Sequence, residues 1–340
     1  MRPFDYRKPA DTAAAIALAR GAASSHVTAP VQYMGGGTTL LDLMKLDVMR
    51  PSTVVDITGL GGNAYRAVER TRQGLRIGAL VPMAELAENG MITRDYPVLR
   101  DSLWLAASAQ LRNMARLGGN VLQRTRCAYF RDTTYPQCNK RDPGSGCAAR
   151  DGFNRLHAVL GTSDHCIAMY PGDWAQALVA LDAMVEVTGA GGPRSLQFAD
   201  LHRLPGDTPH IETTLAPGEL ITGFVIPGGP WPRSLYRKVR DRESYAFANA
   251  SAAVALDLEG GAARDVRIAV GGVATIPWRA RKAEAMLKGK PLTEAAAREA
   301  AAAEFADARP LAHNAYKIPL GKATIVRALM EAGAMEIRHG

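Results

Sequence analysis

The sequence predicts two α/β regions followed by an α+β domain, and three observations carry that reading. As far as residue 226, short apolar runs alternate with helix-like stretches, the pattern of βαβ units. A Pro- and Gly-rich stretch, PGGPWPRS at 227–234, then interrupts the chain as a linker would. Beyond it strands come first and helices second, the order of an α+β domain.

The first region spans 1–58. Asp11 precedes an alanine-rich run that reads as a helix to about Ala23, with Asp11 or Thr12 as N-cap. VQYMGGGTTLLDLMKLDVM then reads as a strand at Val31–Tyr33, a glycine turn at Gly35–Gly37 and a helix at Leu40–Met49. TVVDIT supplies a second strand near 53–58, which makes a small parallel unit.

The second region, 59–228, opens at GLGGN. Its signals are a hairpin about Gln73-Gly74, helices at Met83–Glu88 and Leu99–Ser108, a helix from Asp173 and a strand ending at Pro227. A segment at 124–170 interrupts it. The third region, 235–340, begins with SLYRKVRD and SAAVALDLEGGAARDVRIAVGGV, antiparallel strands with a hairpin at Glu259-Gly260-Gly261. Helices at Arg279–Leu287, Thr293–Phe305 and Leu320–Ala332 close the chain.

Composition narrows the function. The chain of 340 residues is 47% hydrophobic and 22% charged, ordinary for a globular protein. Net charge is +8, but the basic residues are dispersed, with one loose cluster at Arg112, Arg116, Arg124, Arg126 and Arg131. That argues against nucleic acid, which is met by a concentrated basic face, and for a basic surface turned toward a partner protein. The N-terminus lacks the apolar core of a signal peptide, and no run approaches the roughly 20 apolar residues of a membrane span. Cytoplasmic assembly is expected, with export open as the passenger of a partner that carries the signal.

All four cysteines lie between 127 and 166, spaced C-x10-C-x8-C-x18-C. A disulfide framework is denser, and a local ligand set fits the confinement better. The spacing lacks the close pairs of zinc ribbons and is not a compact ferredoxin run. Prolines and glycines between the sulfurs (Pro136, Pro143, Gly144, Gly146, Gly152, Gly161) suit a loop without helix or strand, which an inorganic centre would hold together. Three readings stand: a [4Fe–4S] cluster on Cys127, Cys138, Cys147 and Cys166; structural zinc, with His157 or His165 replacing one sulfur; or cysteines without metal.

Two glycine turns could receive a dinucleotide. MGGGTTL, Met34–Leu40, joins a strand to a helix, so backbone N–H groups and the Thr38 and Thr39 hydroxyls could approach a pyrophosphate. It is neither G-x-G-x-x-G nor a P-loop, and an ordinary tight turn has the same composition. RLGGNV brings Gly118, Gly119 and Asn120 close to any ring or phosphate nearby, or is a plain Gly-Gly turn. No Ser–His–Asp or paired-carboxylate constellation stands out for independent catalysis.

GGGTTLLDLMK, IGALVPMAEL, LRNMARLGGNV, YRKVRDRESYAFA and VGGVATIPWRA, in this order over nearly the whole chain, resemble the FAD-binding subunit of the molybdenum hydroxylase (xanthine oxidase) family. The insert resembles that of the medium subunits of periplasmic aldehyde oxidoreductases and, less closely, the β subunits of 4-hydroxybenzoyl-CoA reductases, where it binds a [4Fe–4S] cluster. The resemblance implies a vanillyl-alcohol-oxidase-type FAD domain in two α/β halves and a C-terminal α+β domain. Met34–Leu40 (Met34, Gly35, Gly36, Gly37, Thr38, Thr39, Leu40) would wrap the FAD pyrophosphate. Ala106, Ala107, Gly118, Gly119, Asn120 and Ile221 would line the cofactor, Asp173 would contact the flavin or ribityl chain, and Lys238 would lie near the isoalloxazine, unless it is a strand-edge lysine facing solvent. Thr39 stands where many relatives carry Asp. The resemblance further implies a redox relay with a molybdenum-cofactor large subunit and a [2Fe–2S] small subunit, delivering electrons from an aldehyde to an external acceptor. The rivals are a 4-hydroxybenzoyl-CoA-reductase-like complex, a flavoprotein acting alone, and a zinc-stapled binding module without redox role.

Overall fold

A computed structural model describes residues 1–20 and 27–337. In the first half, β1 (Asp5–Arg7), α1 (Thr12–Ala19), β2 (Val31–Met34), α2 (Leu40–Lys45) and β3 (Thr53–Asp56) form a three-stranded parallel sheet of order β1-β3-β2. Asp11 caps α1 by accepting from the Ala14 N–H at 2.8 Å; the expected end of that helix at Ala23 lies outside the described residues. The expected helix to Met49 stops at Lys45. Asp47 turns left-handed with φ 58°, and the Val48 and Met49 N–H groups fold back to the Leu43 carbonyl.

The second half carries β4 (Val68–Thr71), β5 (Gly74–Gly78), the helices α3 (Met83–Glu88), α4 (Gly90–Asp95), α5 (Pro97–Trp104), α6 (Ala109–Met114), α7 (Leu117–Val121), α8 (Ala128–Arg131) and α9 (Trp174–Ala180), then β6 (Met184–Gly189), β7 (Gly192–Gln197) and β8 (Leu220–Ile226). Its five-stranded sheet, β4-β5-β8-β6-β7, is antiparallel throughout. RLGGNV, read as a turn, is the helical turn α7. The cysteine segment, expected without regular structure, contains the single turn α8 and one backbone bridge between Cys138 and Cys147.

The C-terminal domain builds an antiparallel sheet from β9 (Ser234–Val239), β10 (Ala250–Glu259), β11 (Ala262–Gly271) and β12 (Trp278–Arg279), covered by α10 (Arg281–Leu287), α11 (Glu294–Glu304) and α12 (Lys317–Gly333). β10 reads as continuous small apolar residues because both of its faces are covered. Ala252, Val254 and Leu256 pack under the three helices. Ala253 and Ala255, one residue out of phase, enter the core that contains α5 and α9 of the second half. One strand thus belongs to two cores.

The cysteine segment is clamped from both sides. Phe130, Cys127 and Cys138 pack against Leu43, Met44 and Met49 of the first half, and Asp42 of α2 pairs with Arg126 at 3.2 Å and Arg131 at 2.8 Å. Toward the C-terminal domain, Val159 N–H donates to the Val273 carbonyl at 2.8 Å, Asn314 donates to the Ala158 carbonyl at 3.0 Å, and the His313 N–H donates to Asn154 Oδ1 at 3.0 Å.

At this junction Lys317 is fully buried, donating to the carbonyls of Leu156 and Gly272. Burial, with Arg155 adding to it, pushes its pKa down to about 7. Between that value and the unfolded lysine value near 10.4, the unfolded chain binds the extra proton, so this group makes stability rise with pH. Lys317→Met should therefore flatten the rise in the denaturant midpoint between about pH 7 and 10, the wild type gaining over that window and the variant gaining less.

Candidate functional site

Where the three regions meet, they enclose a cavity of about 910 Å³, within the range of small-molecule and cofactor sites. Its first wall is the crossing from β2 to α2. All seven residues Met34–Leu40 line it. The crossing lies flat against α6: a Cβ on Gly36 would stand 1.8 Å from the Met114 carbonyl oxygen, and Gly37 has φ +73°, the left-handed region that favours glycine. Among the described residues, the N–H groups of Gly36, Gly37, Thr38 and Thr39 donate to no protein acceptor. Several unspent donors on one curved wall suit an anionic group such as a pyrophosphate.

The second wall comes from the second half. Ala106, Ala107, Gly119, Asn120 and Asp173 line the cavity, and Ala107 holds φ 50°, a conformation that costs energy for a residue with a Cβ. Gly119 has open space where a Cβ would project. Asn120 donates to Met83 Sδ at 3.3 Å, while its buried Oδ1 finds no partner. Arg116 also lines the cavity with its buried Nε unpartnered. Orphaned polar atoms around a large, mostly apolar space fit a flavin dinucleotide, whose ring and ribityl chain would satisfy them.

Three of the expected residues are not in the lining. Gly118 packs against Ala79, its N–H donating to the Ala79 carbonyl at 2.8 Å. Ile221 is in β8, inside the core of the second half. Lys238 lies behind the wall: its Nζ is 2.8 Å from Asp173 Oδ2 and donates to the Leu105 carbonyl at 3.0 Å. With side chains 1% and 5% exposed, Lys238 and Asp173 form a buried ion pair. Tyr236 donates to Asp173 Oδ1 at 2.7 Å, and burial, reinforced by that carboxylate, raises the Tyr236 pKa well above the usual phenol range.

Sequence reasoning missed residues that act through the backbone. Tyr170 donates to the Val121 carbonyl at 3.0 Å, and His202 Nε2 lies 2.9 Å from the same oxygen. Together they fix the end of α7. Burial pushes the His202 pKa down to about 4, so the ring is neutral. No motif surrounds His202, so nothing in the sequence could have singled it out. The β9–β10 loop brings Tyr245 and Phe247 to the cavity mouth, where Arg126 stacks over Phe247 at 4.9 Å.

No disulfide joins the four cysteines, and all four line one second, much smaller void. Cys127 alone among them also lines the large cavity, so the two spaces adjoin at this residue. Burial pushes the Cys127 pKa up to about 12 and that of Cys166 up to about 11, and raises Cys147 in the same direction. Lys140, which also touches both spaces, pairs with Glu212 at 2.8 Å, and Arg124 approaches the same carboxylate at 2.5 Å. Lys140 thus brings a cation to the lining of the void that the thiols share. His157 Nε2 is 3.1 Å from Cys127 Sγ; burial, with Lys317 adding to it and the Asn154 carbonyl opposing, pushes the His157 pKa down to about 4. His165 contributes only backbone to this network, accepting from Asn139 at 3.0 Å. A structural zinc needs its ligands within about 2.3 Å of one point, and among the described residues no three His, Cys, Asp or Glu side chains are so gathered.

Comparison with known proteins agrees with this geometry. Residues 2–229 match the FAD binding domain in molybdopterin dehydrogenase, and residues 234–332 match the CO dehydrogenase flavoprotein C-terminal domain. The chain belongs to the FAD-binding subunits of the molybdenum hydroxylase family. It is 45% identical over 338 residues to the aldehyde oxidoreductase FAD-binding subunit PaoB of Escherichia coli K12, covering 98% of this chain and 99% of that one. The carbon monoxide dehydrogenase medium chain of Afipia carboxidovorans is 24% identical, with 97% of each chain covered. In fold, the chain is similar to CO dehydrogenase from Oligotropha carboxidovorans, with a TM-score of 0.75, 24% identity and coverage of 99% and 100%. It is also similar to quinoline 2-oxidoreductase from Pseudomonas putida 86, with a TM-score of 0.71, 22% identity and coverage of 98% and 97%. This FAD-binding subunit is thus a component of xanthine-oxidase-type oxidoreductases. Among its described residues, no helix is long and apolar enough to cross a membrane.

Two outcomes test the site. Gly119→Leu, whose side chain enters open cavity, should lower bound flavin per chain at least tenfold while the circular dichroism spectrum stays unchanged. Lys238→Met leaves Asp173 buried without its cation, which should cost about 3–5 kcal/mol in denaturant unfolding.

Proposed function

We propose that this chain is the FAD- and [4Fe–4S]-carrying electron-transfer subunit of a molybdenum-dependent aldehyde oxidoreductase. It would work with a molybdenum-cofactor large subunit and a [2Fe–2S] small subunit, and would pass electrons from substrate oxidation to an external acceptor. The observation that carries this reading is Cys127, which lines both the flavin-sized cavity and the void that all four cysteines line. Support for the aldehyde comes from the 45% identity to the E. coli subunit.

Bound FAD supplies exchange between two-electron and one-electron chemistry, and a [4Fe–4S] centre supplies one-electron storage. The chain's own residues hold and shape these groups. Gly36, Gly37, Thr38 and Thr39 would donate backbone N–H groups to the pyrophosphate. Asn120 and Arg116 would meet polar atoms of the flavin side, and Asp173, fixed by Lys238 and Tyr236, would orient the ribityl region. Cys127, Cys138, Cys147 and Cys166 would each bind a different iron, which needs a wider ring of sulfurs than one zinc ion does. Lys140 and Arg124 would offset the negative charge of the thiolates. Because Cys127 belongs to both walls, the centre is read as a relay rather than as a structural clip.

Cys138→Ser in the assembled complex tests the relay. Iron and acid-labile sulfide should fall with FAD retained, and electron delivery to the external acceptor should slow at least tenfold under aldehyde turnover. Unchanged delivery after loss of the iron would remove the relay and leave a clip. A colourless wild-type chain carrying zinc would favour the binding-module reading instead.

A further inference from the structure

We infer that His157 is the hydrogen-bond donor that tunes the reduction potential of the cysteine-bound centre, acting on Cys127 from the flavin side. The inference rests on the [4Fe–4S] reading given above. His157 Nε2 lies 3.1 Å from Cys127 Sγ, a separation that needs a proton between nitrogen and sulfur. A thiolate bonded to iron carries no proton, so in the loaded protein the proton belongs to Nε2. The other ring nitrogen, Nδ1, is buried with no hydrogen-bond partner.

The contact is one-sided. Among the described residues, Cys127 is the one thiol with a side-chain hydrogen-bonding neighbour; Cys166 receives a backbone N–H from Ala168 at 3.4 Å. His157 lines the large cavity but not the small void, so it approaches the sulfur from where the flavin would lie. The backbone around the ring is fixed on both sides. The His157 N–H donates to the Asn154 carbonyl at 3.0 Å, and Asn314 donates to the next carbonyl, of Ala158, at 3.0 Å. The residue is 4% exposed, which keeps the imidazole in the interior.

Reduction of the centre adds one electron, drawn from reduced flavin, and transfers no proton. The added negative charge spreads onto the sulfurs, and an N–H pointed at Sγ stabilises the reduced form more than the oxidised one. Hydrogen bonds to the sulfurs are among the factors that set iron–sulfur potentials. The donor would raise the potential and so favour uptake of electrons from the flavin.

The test is an EPR-monitored redox titration of the assembled complex, with iron content measured alongside. His157→Phe should shift the reduction equilibrium about tenfold toward the oxidised form, ~59 mV lower for a one-electron couple. His157→Gln, whose amide N–H reaches nearly the same place, should stay near the wild-type potential. A histidine-labelled wild type with heavy nitrogen should show coupling of that nitrogen to the reduced centre in pulsed EPR, which decides the matter if His157→Phe fails to assemble. An unmoved potential in His157→Phe with full iron content, or no histidine coupling in wild type, overturns the inference alone. Absence of iron–sulfur signal in wild type overturns it together with the cluster reading.

Discussion

The buried pair of Asp173 and Lys238 ties together what would otherwise be separate pieces. Asp173 stands at the start of α9 in the second half, and Lys238 comes from β9 of the C-terminal domain. Two charges taken out of water are stable together only when geometry and extra hydrogen bonds compensate their lost hydration. Tyr236 on one carboxylate oxygen and the Leu105 carbonyl on the ammonium supply that compensation. Since Leu105 directly precedes Ala106 and Ala107, the pair also sets the position of the wall that those residues form.

The same logic recurs in the cysteine segment, which has almost no regular structure and is held by its neighbours. Asp42 takes two arginines from it, Asn154 Oδ1 accepts from the His313 N–H of the C-terminal domain, and Asn314 of that domain donates to the Ala158 carbonyl. A loop anchored this way can present buried sulfurs without a hydrophobic core of its own. In the proposed reading the clamp fixes the loop from outside, and metal binding would fix its interior.

Much of this was legible in the sequence, for identifiable reasons. The hairpin at Gly260-Gly261 and the three closing helices follow from local signals, and each stands within a few residues of its expected place. The first-half parallel sheet was also readable, except for β1, whose three exposed residues carry no periodic pattern. The antiparallel second sheet was not, because β8 pairs with β5 and β6 from far along the chain; the β6–β7 hairpin is local but its exposed β7 carries no apolar alternation. At the site, the glycine crossing and the cysteines were marked by composition. Lys238 could be named but its environment could not: only the fold shows that Asp173 neutralises it. His157 was noticed as an alternative ligand, whereas His202 and Tyr170 act on a carbonyl far away in the chain and leave no trace in the sequence.

β10 and the loop before it have one consequence for the shape of the cavity. The methyl groups of Ala253 and Ala255 are the spacers between the C-terminal sheet and the second half, and the loop from β9 to β10 carries Tyr245 and Phe247 to the rim. How far the rim stands from the opposite wall is therefore fixed by side chains deep in the interior. Exchanging an alanine for valine there would act as a shim, tilting the whole domain and resizing the entrance without altering one residue that a cofactor touches.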